Sequence, residues 1–278
     1  MAPPFTSRLE ELVSLELVRL DISIPSAIRW VLFVCQVVEI FYPNHPTDLK
    51  VIIALCNIVI LHIEDTLTLN TDILNNYQLA IHRGDRHEDP LLQCMMHTLL
   101  PQMWDYYSPL AASGITIVFS DFVIGTSMET MTKNMVLHES AVQFPEYLRL
   151  KSGMSEAYGH WIFYPSATHN PLSYIQAMPD LVSFINRLND TFSFYKEDLD
   201  GEVDNYVHMQ AKLVGCTPLE SLERVSHEGT RLYKQIVRIL TETSSLKELA
   251  SFKRFSRGYI RFHLSTPRYR LEDVFPEA

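Results

Sequence analysis

Residues 48–61 are apolar on nearly every side when drawn as a helix, and this segment constrains the fold most. A helix that is apolar all round must be buried among other elements, because no face of it suits water. The segment is shorter than the roughly 20 residues that cross a bilayer, and it contains Asn57. The other strongly apolar run, residues 30–38, is shorter still. We therefore expect a central helix in a globular core and no membrane span.

Helical spacing of apolar residues recurs along the whole chain. Residues 8–22 place leucines and valines at helical intervals among charged side chains, which predicts an amphipathic helix. Alternating runs typical of strands do not recur, and only 9 of the 278 residues are glycine. We predict an all-α fold of about ten helices in a single domain spanning residues 1–278. The other predicted helices cover residues 26–42, 48–61, 91–107, 115–139, 171–195, 218–243 and 246–264.

Charge and cysteine usage argue against several functional classes. A net charge of −10 does not suit a phosphate backbone, so nucleic acid is not an expected partner. The four cysteines show no CxxC spacing and no nearby histidine pairs, which argues against a zinc site or a disulfide framework. The first residues lack a basic stretch followed by an apolar run, so we expect a cytoplasmic protein without a signal peptide. Motifs of serine hydrolases, P-loop proteins and zincins are missing as well.

Three oxygen-bearing side chains recur four residues apart in the predicted helix that ends near residue 195. Asn189, Ser193 and Glu197 share one helical face, since four residues advance the helix by about 400°. An amide, a hydroxyl and a carboxylate form a hard, oxygen-only ligand set that suits Mg²⁺ rather than zinc or copper. Lys196 adds a cation that could hold a phosphate oxygen. The spacing alone is equally compatible with an ordinary polar helix face.

The longer string from Asn189 to Glu197, NDTFSFYKE, resembles the second metal motif of the fungal trichodiene synthase family of sesquiterpene cyclases. Residues 144–149, FPEYLR, are similar to another stretch of that family, whose arginine senses diphosphate. This resemblance points to Arg149, and Gly153 follows it as in the family. It also implies that Lys196 contacts the diphosphate.

A third stretch, STPRYRL at residues 265–271, is similar to the place where the family grips diphosphate with an arginine-tyrosine pair. Arg268 and Tyr269 take those positions. The family usually has an aspartate and an arginine just before the pair, whereas this chain has Thr266 and Pro267. We therefore expect a different hydrogen-bond network around the pair.

The first metal motif departs from the family pattern. Class I cyclases usually present DDxxD at the end of a buried helix, and this chain has Glu64 and Asp65 there with no acid three residues further on. The resemblance implies that Glu64 or Asp65 binds metal. An alignment without gaps would instead place His62 near the first aspartate, and Asp72 could contribute only if the helix has ended. The alternative is that the acidic pair only caps the helix or faces water.

The resemblance implies a class I terpenoid synthase helical bundle that ionises an allylic isoprenoid diphosphate, with farnesyl diphosphate as the expected substrate. It also implies three Mg²⁺ ions and a homodimer. The carbocation needs an apolar, aromatic wall, for which Phe33 and Trp161 are the candidates. The alternative function is a non-catalytic isoprenoid-binding or partner protein with a degenerate first metal motif.

Overall fold

The computed structural model describes residues 7–22, 25–164, 171–243 and 246–275, apart from the side chains of residues 26 and 69. All regular elements within these ranges are helical, and none of the described residues forms a strand. The predicted all-α fold class is thus confirmed. The chain divides into two compact units, Met1–Ser127 and Met128–Ala278, which are described separately. The single domain over residues 1–278 stays a prediction.

The first unit is organised around the apolar segment that the sequence singles out. Its helix α3 (Thr47–Thr66) is buried on all sides from Leu49 to Ile63, as predicted. It packs against two N-terminal helices, α1 (Arg8–Arg19) and α2 (Pro25–Phe41). A 3-10 turn, Leu67–Leu69, follows α3 directly. The acidic pair therefore lies in the last turn of a buried helix.

The remaining helices of the first unit are shorter or interrupted. Helix α4 (Thr71–Arg83) ends at Gly84, whose φ of 69° lies in the left-handed region that glycine tolerates best. The predicted helix over residues 91–107 is present as α5 (Pro90–Cys94), a π-helical turn (Met95–Leu99) and α6 (Leu100–Tyr106). Asp89 caps α5 by accepting the backbone N–H of Leu92 at 2.9 Å.

Helix α7 (Pro109–Thr132) differs in frame from the prediction of residues 115–139. It begins six residues earlier, where Ala111 and Ala112 are buried, and it ends before Asn134, whose φ is 62°. Of the helices described, α7 alone is long and apolar enough to cross a membrane, and more than half of its apolar stretch is buried. The core helix of a globular protein has the same properties.

The second unit contains six α-helices in its described residues: α8 (Phe144–Ser152), α9 (Ser155–Ile162), α10 (Met178–Leu199), α11 (Tyr206–Val214), α12 (Pro218–Thr243) and α13 (Leu246–Ser265). Helix α10 packs against α9 and α12, and α11 packs against α8 and α12. The sequence analysis left α8 and α9 unassigned because Pro145 and Gly153 look like breaks. Pro145 lies in the first turn of α8, where a missing N–H costs no intrahelical hydrogen bond.

Helix α10 is shifted towards the C-terminus relative to the prediction of residues 171–195. The first part of that range forms two 3-10 turns, Pro171–Ser173 and Ile175–Ala177, and Pro179 lies in the first turn of the α-helix. The helix continues to Leu199. Asn189, Ser193 and Glu197 are consequently all inside one regular helix.

Candidate functional site

The three predicted metal ligands of α10 form one face, called here the ligand face: Asn189, Ser193 and Glu197. Ser193 is buried, whereas Asn189 and Glu197 are half-buried. The side chains of Ser193 and Glu197 are hydrogen-bonded to each other. Glu197 Oε2 also accepts from Asn205 Nδ2 at 3.0 Å. Regular helical geometry thus presents the three oxygens together, and neighbours hold the carboxylate in place.

The protein environment of Glu197 raises the cost of its negative charge. Burial raises the pKa of the Glu197 carboxyl, and the hydrogen bond from Ser193 and the charge of Lys196 oppose that shift. A divalent cation on the ligand face would favour the ionised carboxylate for the same electrostatic reason.

The donor set of the ligand face fits magnesium. Among the described residues there is no group of three or more His, Cys, Asp and Glu side chains spaced to hold a metal ion. The ligand face instead combines amide, hydroxyl and carboxylate oxygens, which are hard donors that suit Mg²⁺. Magnesium keeps several waters and takes further ligands from substrate phosphates, so a site with few protein carboxylates is adequate for it.

The predicted diphosphate sensor lies against the ligand face. Arg149 extends from α8, donating from Nη2 to Asn189 Oδ1 at 2.9 Å and from Nε to Asp190 Oδ1 at 2.7 Å. Asp190 is 7% exposed. The structure therefore brings together Arg149 and Asn189, two residues that the sequence connects only through a family resemblance.

Gly153 follows α8 at a point where a larger residue does not fit. A Cβ atom there would lie 2.7 Å from Asn186 Oδ1 and 2.9 Å from the carbonyl oxygen of Arg149. Contacts this short require the neighbouring atoms to move. The Asn186 oxygen is itself held by the Ser155 hydroxyl. The small residue after α8 is thus explained by close packing beside Arg149.

Three charged residues behind the ligand face were not assigned a role from the sequence. Asp190 and Glu146 both occur inside quoted motifs, whereas Arg187 had no signal in the sequence. Arg187 donates from Nη1 to Asp190 Oδ2 at 3.3 Å and from Nη2 to Glu146. Its partners come from different helices, a pairing that only the tertiary structure reveals.

The arginine-tyrosine pair lies in a 3-10 turn, Pro267–Tyr269, that contacts α10. Arg268 is half-buried and Tyr269 is buried. The ring of Tyr269 lies against His263 of α13, with centroids 4.3 Å apart. His263 also stacks on Phe192 of α10 at 5.3 Å. Aromatic packing therefore joins the turn to the helix that carries the ligand face.

Tyr259 and His263 complete the aromatic stack from α13. Their ring centroids are 4.2 Å apart, and His263 Nδ1 donates to the Tyr259 carbonyl at 2.8 Å. The Tyr259 hydroxyl is hydrogen-bonded to the side chain of Asn189, and burial raises the pKa of Tyr259. Burial lowers the pKa of His263 to about 4, so the ring is neutral at pH 7.

The predicted first metal motif belongs to the other unit. Glu64 and Asp65 are exposed at the end of α3, and Asp65 Oδ2 accepts from Arg29 Nη2 at 2.9 Å. Helix α3 ends at Thr66, so Asp72 lies in the first turn of the next helix, α4. His62 is buried, and its Nε2 lies 2.9 Å from Asp89 Oδ2, a contact that makes it a structural histidine.

The two predicted wall residues differ in exposure. Phe33 is half-buried on α2 and packs edge-on against Trp30 at 5.3 Å. Trp161 on α9 is 0% exposed and packs edge-on against Tyr158 at 5.2 Å. Their contact with a substrate stays a prediction.

Known proteins similar to this chain are terpene synthases. Residues 18–278 match the family model described as trichodiene synthase (TRI5). Terpene synthase 29 of Postia placenta is 36% identical over 176 residues, 63% of this chain and 51% of that protein, so the match spans about half of that relative. Terpene synthase BipA of Cochliobolus sativus is 31% identical over 233 residues, 83% of this chain and 71% of that protein.

The fold is similar to that of a solved bacterial terpene synthase. Linalool/nerolidol synthase from Streptomyces clavuligerus, in complex with 2-fluorogeranyl diphosphate, superposes with a TM-score of 0.70 at 14% identity, covering 95% of each chain. This likeness confirms the predicted class I terpenoid synthase fold.

Proposed function

Because this chain belongs to the trichodiene synthase family of class I terpene cyclases, we propose that it converts farnesyl diphosphate to a sesquiterpene with the help of Mg²⁺ and releases diphosphate. Action on an isoprenoid diphosphate follows from the family, whereas the chain length of the substrate and the metal are part of the proposal. The observation that carries the proposal is the ligand face, an oxygen-only donor set hydrogen-bonded to the guanidinium of Arg149.

The reaction begins when the carbon–oxygen bond to the diphosphate breaks. Bound Mg²⁺, with three ions proposed, supplies positive charge that stabilises the leaving group. Lys196 and Arg149 contribute cations from α10 and α8, and Arg268 and Tyr269 contribute a guanidinium and a hydroxyl from the adjoining turn. Asn189, Ser193 and Glu197 are the proposed metal ligands in this unit.

Glu64 and Asp65 are proposed as the remaining protein ligands for metal. Both carboxylates are exposed at the end of α3, a position from which they can meet an ion without a desolvation cost. The ion pair between Asp65 and Arg29 occupies one carboxylate oxygen of Asp65. Each acid is retained as a candidate, and Glu64→Gln and Asp65→Asn would separate their contributions.

The carbocation formed by ionisation must be kept from water until it has cyclised. Phe33 and Trp161 are the proposed aromatic wall, whose ring faces can stabilise a cation through their quadrupoles. A cytoplasmic location and a homodimeric assembly complete the proposal, and both follow the expectation from the family resemblance.

Product analysis tests the proposed reaction. Purified protein is incubated with Mg²⁺ and, separately, with farnesyl, geranyl and geranylgeranyl diphosphate, and the extracts are analysed by gas chromatography–mass spectrometry. We expect a sesquiterpene hydrocarbon or alcohol from farnesyl diphosphate. A complete lack of terpene products from all three substrates would contradict the cyclase assignment. That result would support the alternative of a non-catalytic isoprenoid-binding or partner protein.

Substitution of the ligand face tests the metal site. We expect Asn189→Ala and Glu197→Ala each to reduce turnover by about 100-fold or more, because ligands that hold the charge-stabilising metal are lost. Glu223→Ala, at an exposed position on α12, is the matched control and should retain full activity. Folded variants of Asn189 and Glu197 with normal turnover would show that metal binds elsewhere.

A further inference from the structure

Arg187 is a buried cation that joins three helices behind the ligand face. Its side chain is 2% exposed. The guanidinium donates from Nε to Glu228 Oε2 at 2.9 Å, from Nη1 to Asp190 Oδ2 at 3.3 Å, and from Nη2 to Glu146 Oε2. It also lies over the ring of Tyr206, with Cζ 4.0 Å from the centroid. All three nitrogens of the fork are therefore directed at carboxylates on α12, α10 and α8.

The carboxylate of Asp190 is shared between two arginines. Oδ2 accepts from Arg187, and Oδ1 accepts from Arg149 Nε at 2.7 Å. Rotation of this carboxylate would separate buried opposite charges, which is strongly unfavourable. Arg187 consequently fixes Asp190, and Asp190 fixes the plane of the Arg149 guanidinium. In that orientation Arg149 Nη2 lies 2.9 Å from Asn189 Oδ1.

This arrangement occupies a proposed metal ligand with a cation. A guanidinium and a metal ion would compete for Asn189 Oδ1 and repel one another at that distance. A diphosphate group attracts both of them, since arginine binds phosphate oxygens strongly. When Nη2 of Arg149 turns to a phosphate oxygen, Asn189 Oδ1 becomes available to metal.

We propose that Arg187 is a positioning residue which, through Asp190, holds Arg149 on Asn189, so that the ligand face reaches its full metal affinity only when diphosphate engages Arg149. This inference rests on the proposed function. Coupling of this kind is reciprocal, so metal and diphosphate each strengthen the binding of the other. The ligand face thereby responds to the diphosphate group rather than to free metal.

Manganese binding to the full chain tests the inference. Mn²⁺ is followed by electron paramagnetic resonance, without and with inorganic diphosphate. We expect the wild-type protein to bind Mn²⁺ weakly alone and more tightly with diphosphate. Arg149→Met should bind Mn²⁺ about tenfold more tightly than the wild type when diphosphate is absent, because Asn189 is released. Diphosphate should then add little.

Arg187→Lys tests the positioning role directly. A lysine keeps the charge but lacks the planar fork, so Asp190 and Arg149 lose their fixed orientation. We expect tighter Mn²⁺ binding without diphosphate, a gain that a merely structural defect would not produce. If this variant does not fold, Glu228→Gln removes one partner of Arg187 at a side chain that is 39% exposed and should change Mn²⁺ binding in the same direction. Arg231→Met, exposed on α12, is the control and should match the wild type.

Two results would overturn the inference in distinguishable ways. Wild-type protein that binds Mn²⁺ with diphosphate, while folded Arg149→Met and Arg187→Lys show unchanged affinity without it, would exclude the competition at Asn189 and leave the proposed function standing. Wild-type protein that binds no Mn²⁺ even with diphosphate would contradict the metal site itself, and the inference with it.

Discussion

At the scale of single residues, His263 shows how packing sets a charge state. Its ring lies between Tyr259 and Tyr269, and burial lowers its pKa to about 4. The unfolded chain, with a histidine pKa of about 6.5, takes up a proton in a range where the folded protein does not. The free energy of unfolding is therefore fully supported above pH 6.5 and falls as the pH drops towards 4.

The predicted size of this effect is about 3 kcal/mol, from a difference of two to three pKa units at 1.36 kcal/mol each. His263→Phe keeps an aromatic ring in the stack and removes the titrating group. Urea unfolding at a series of pH values between 7 and 4 measures the difference. The wild-type protein should lose more stability than His263→Phe across this range. Equal losses in both proteins would show that other groups dominate the acid response.

A pair of glycines offers a test of packing beside Arg149. Gly153→Ala should destabilise the protein by about 1–3 kcal/mol, because the added Cβ would meet Asn186 Oδ1 at 2.7 Å. Gly229→Ala is the matched control on α12, where the nearest atom is at 3.7 Å, an ordinary contact distance. A helical alanine should stabilise there by about 0.5–1 kcal/mol. Urea unfolding that places both variants on the same side of the wild type would contradict this account of Gly153.

The sequence predicted the ligand face at this scale but not its partners. Spacing of four residues places Asn189, Ser193 and Glu197 together on any helix, so local geometry is sufficient for that prediction. The pairing of Arg187 with Glu146 and Glu228 joins residues 41 positions apart in each case. Such contacts depend on how α8 and α12 pack on α10, which no local pattern encodes.

At the scale of elements, apolar continuity predicted α3 well, whereas punctuation by proline and glycine was misleading. Leu49–Ile63 is buried on all sides because every face of α3 has a neighbour. Helices α8 and α9 were missed because Pro145 was interpreted as a break, although proline is favourable in the first turn of a helix. The start of α10 was misjudged because residues 171–177 form two 3-10 turns instead of α-helix.

The turn that carries Arg268 provides a prediction at this scale. If Arg268 holds diphosphate, Mg²⁺ with diphosphate should raise the melting temperature of the wild-type protein, and this increase should be smaller in Arg268→Ala. The neighbouring Arg270 is exposed and its Nη2 lies 3.3 Å from Asp273 Oδ2 within the same segment. Arg270→Gln is therefore the control and should keep the full increase. An undiminished increase in Arg268→Ala would place the diphosphate elsewhere.

At the scale of the whole molecule, the negative charge of the chain contrasts with the cations around the ligand face. The formal net charge is −10, yet Arg149, Lys196 and Arg268 lie in or beside the elements that carry the proposed diphosphate site. A local concentration of positive charge is needed because the substrate is itself an anion, and added metal ions serve the same purpose. The family and the fold agree with this distribution of charge.

The central claim is that the protein uses Mg²⁺ to ionise an isoprenoid diphosphate. The most direct measurement is the release of inorganic diphosphate from farnesyl diphosphate, because it reports ionisation whatever terpene is formed. We predict release that depends on Mg²⁺ and stops when EDTA removes the metal. Release that continues at the same rate with EDTA, or no release from farnesyl, geranyl or geranylgeranyl diphosphate at any Mg²⁺ concentration, would contradict the claim.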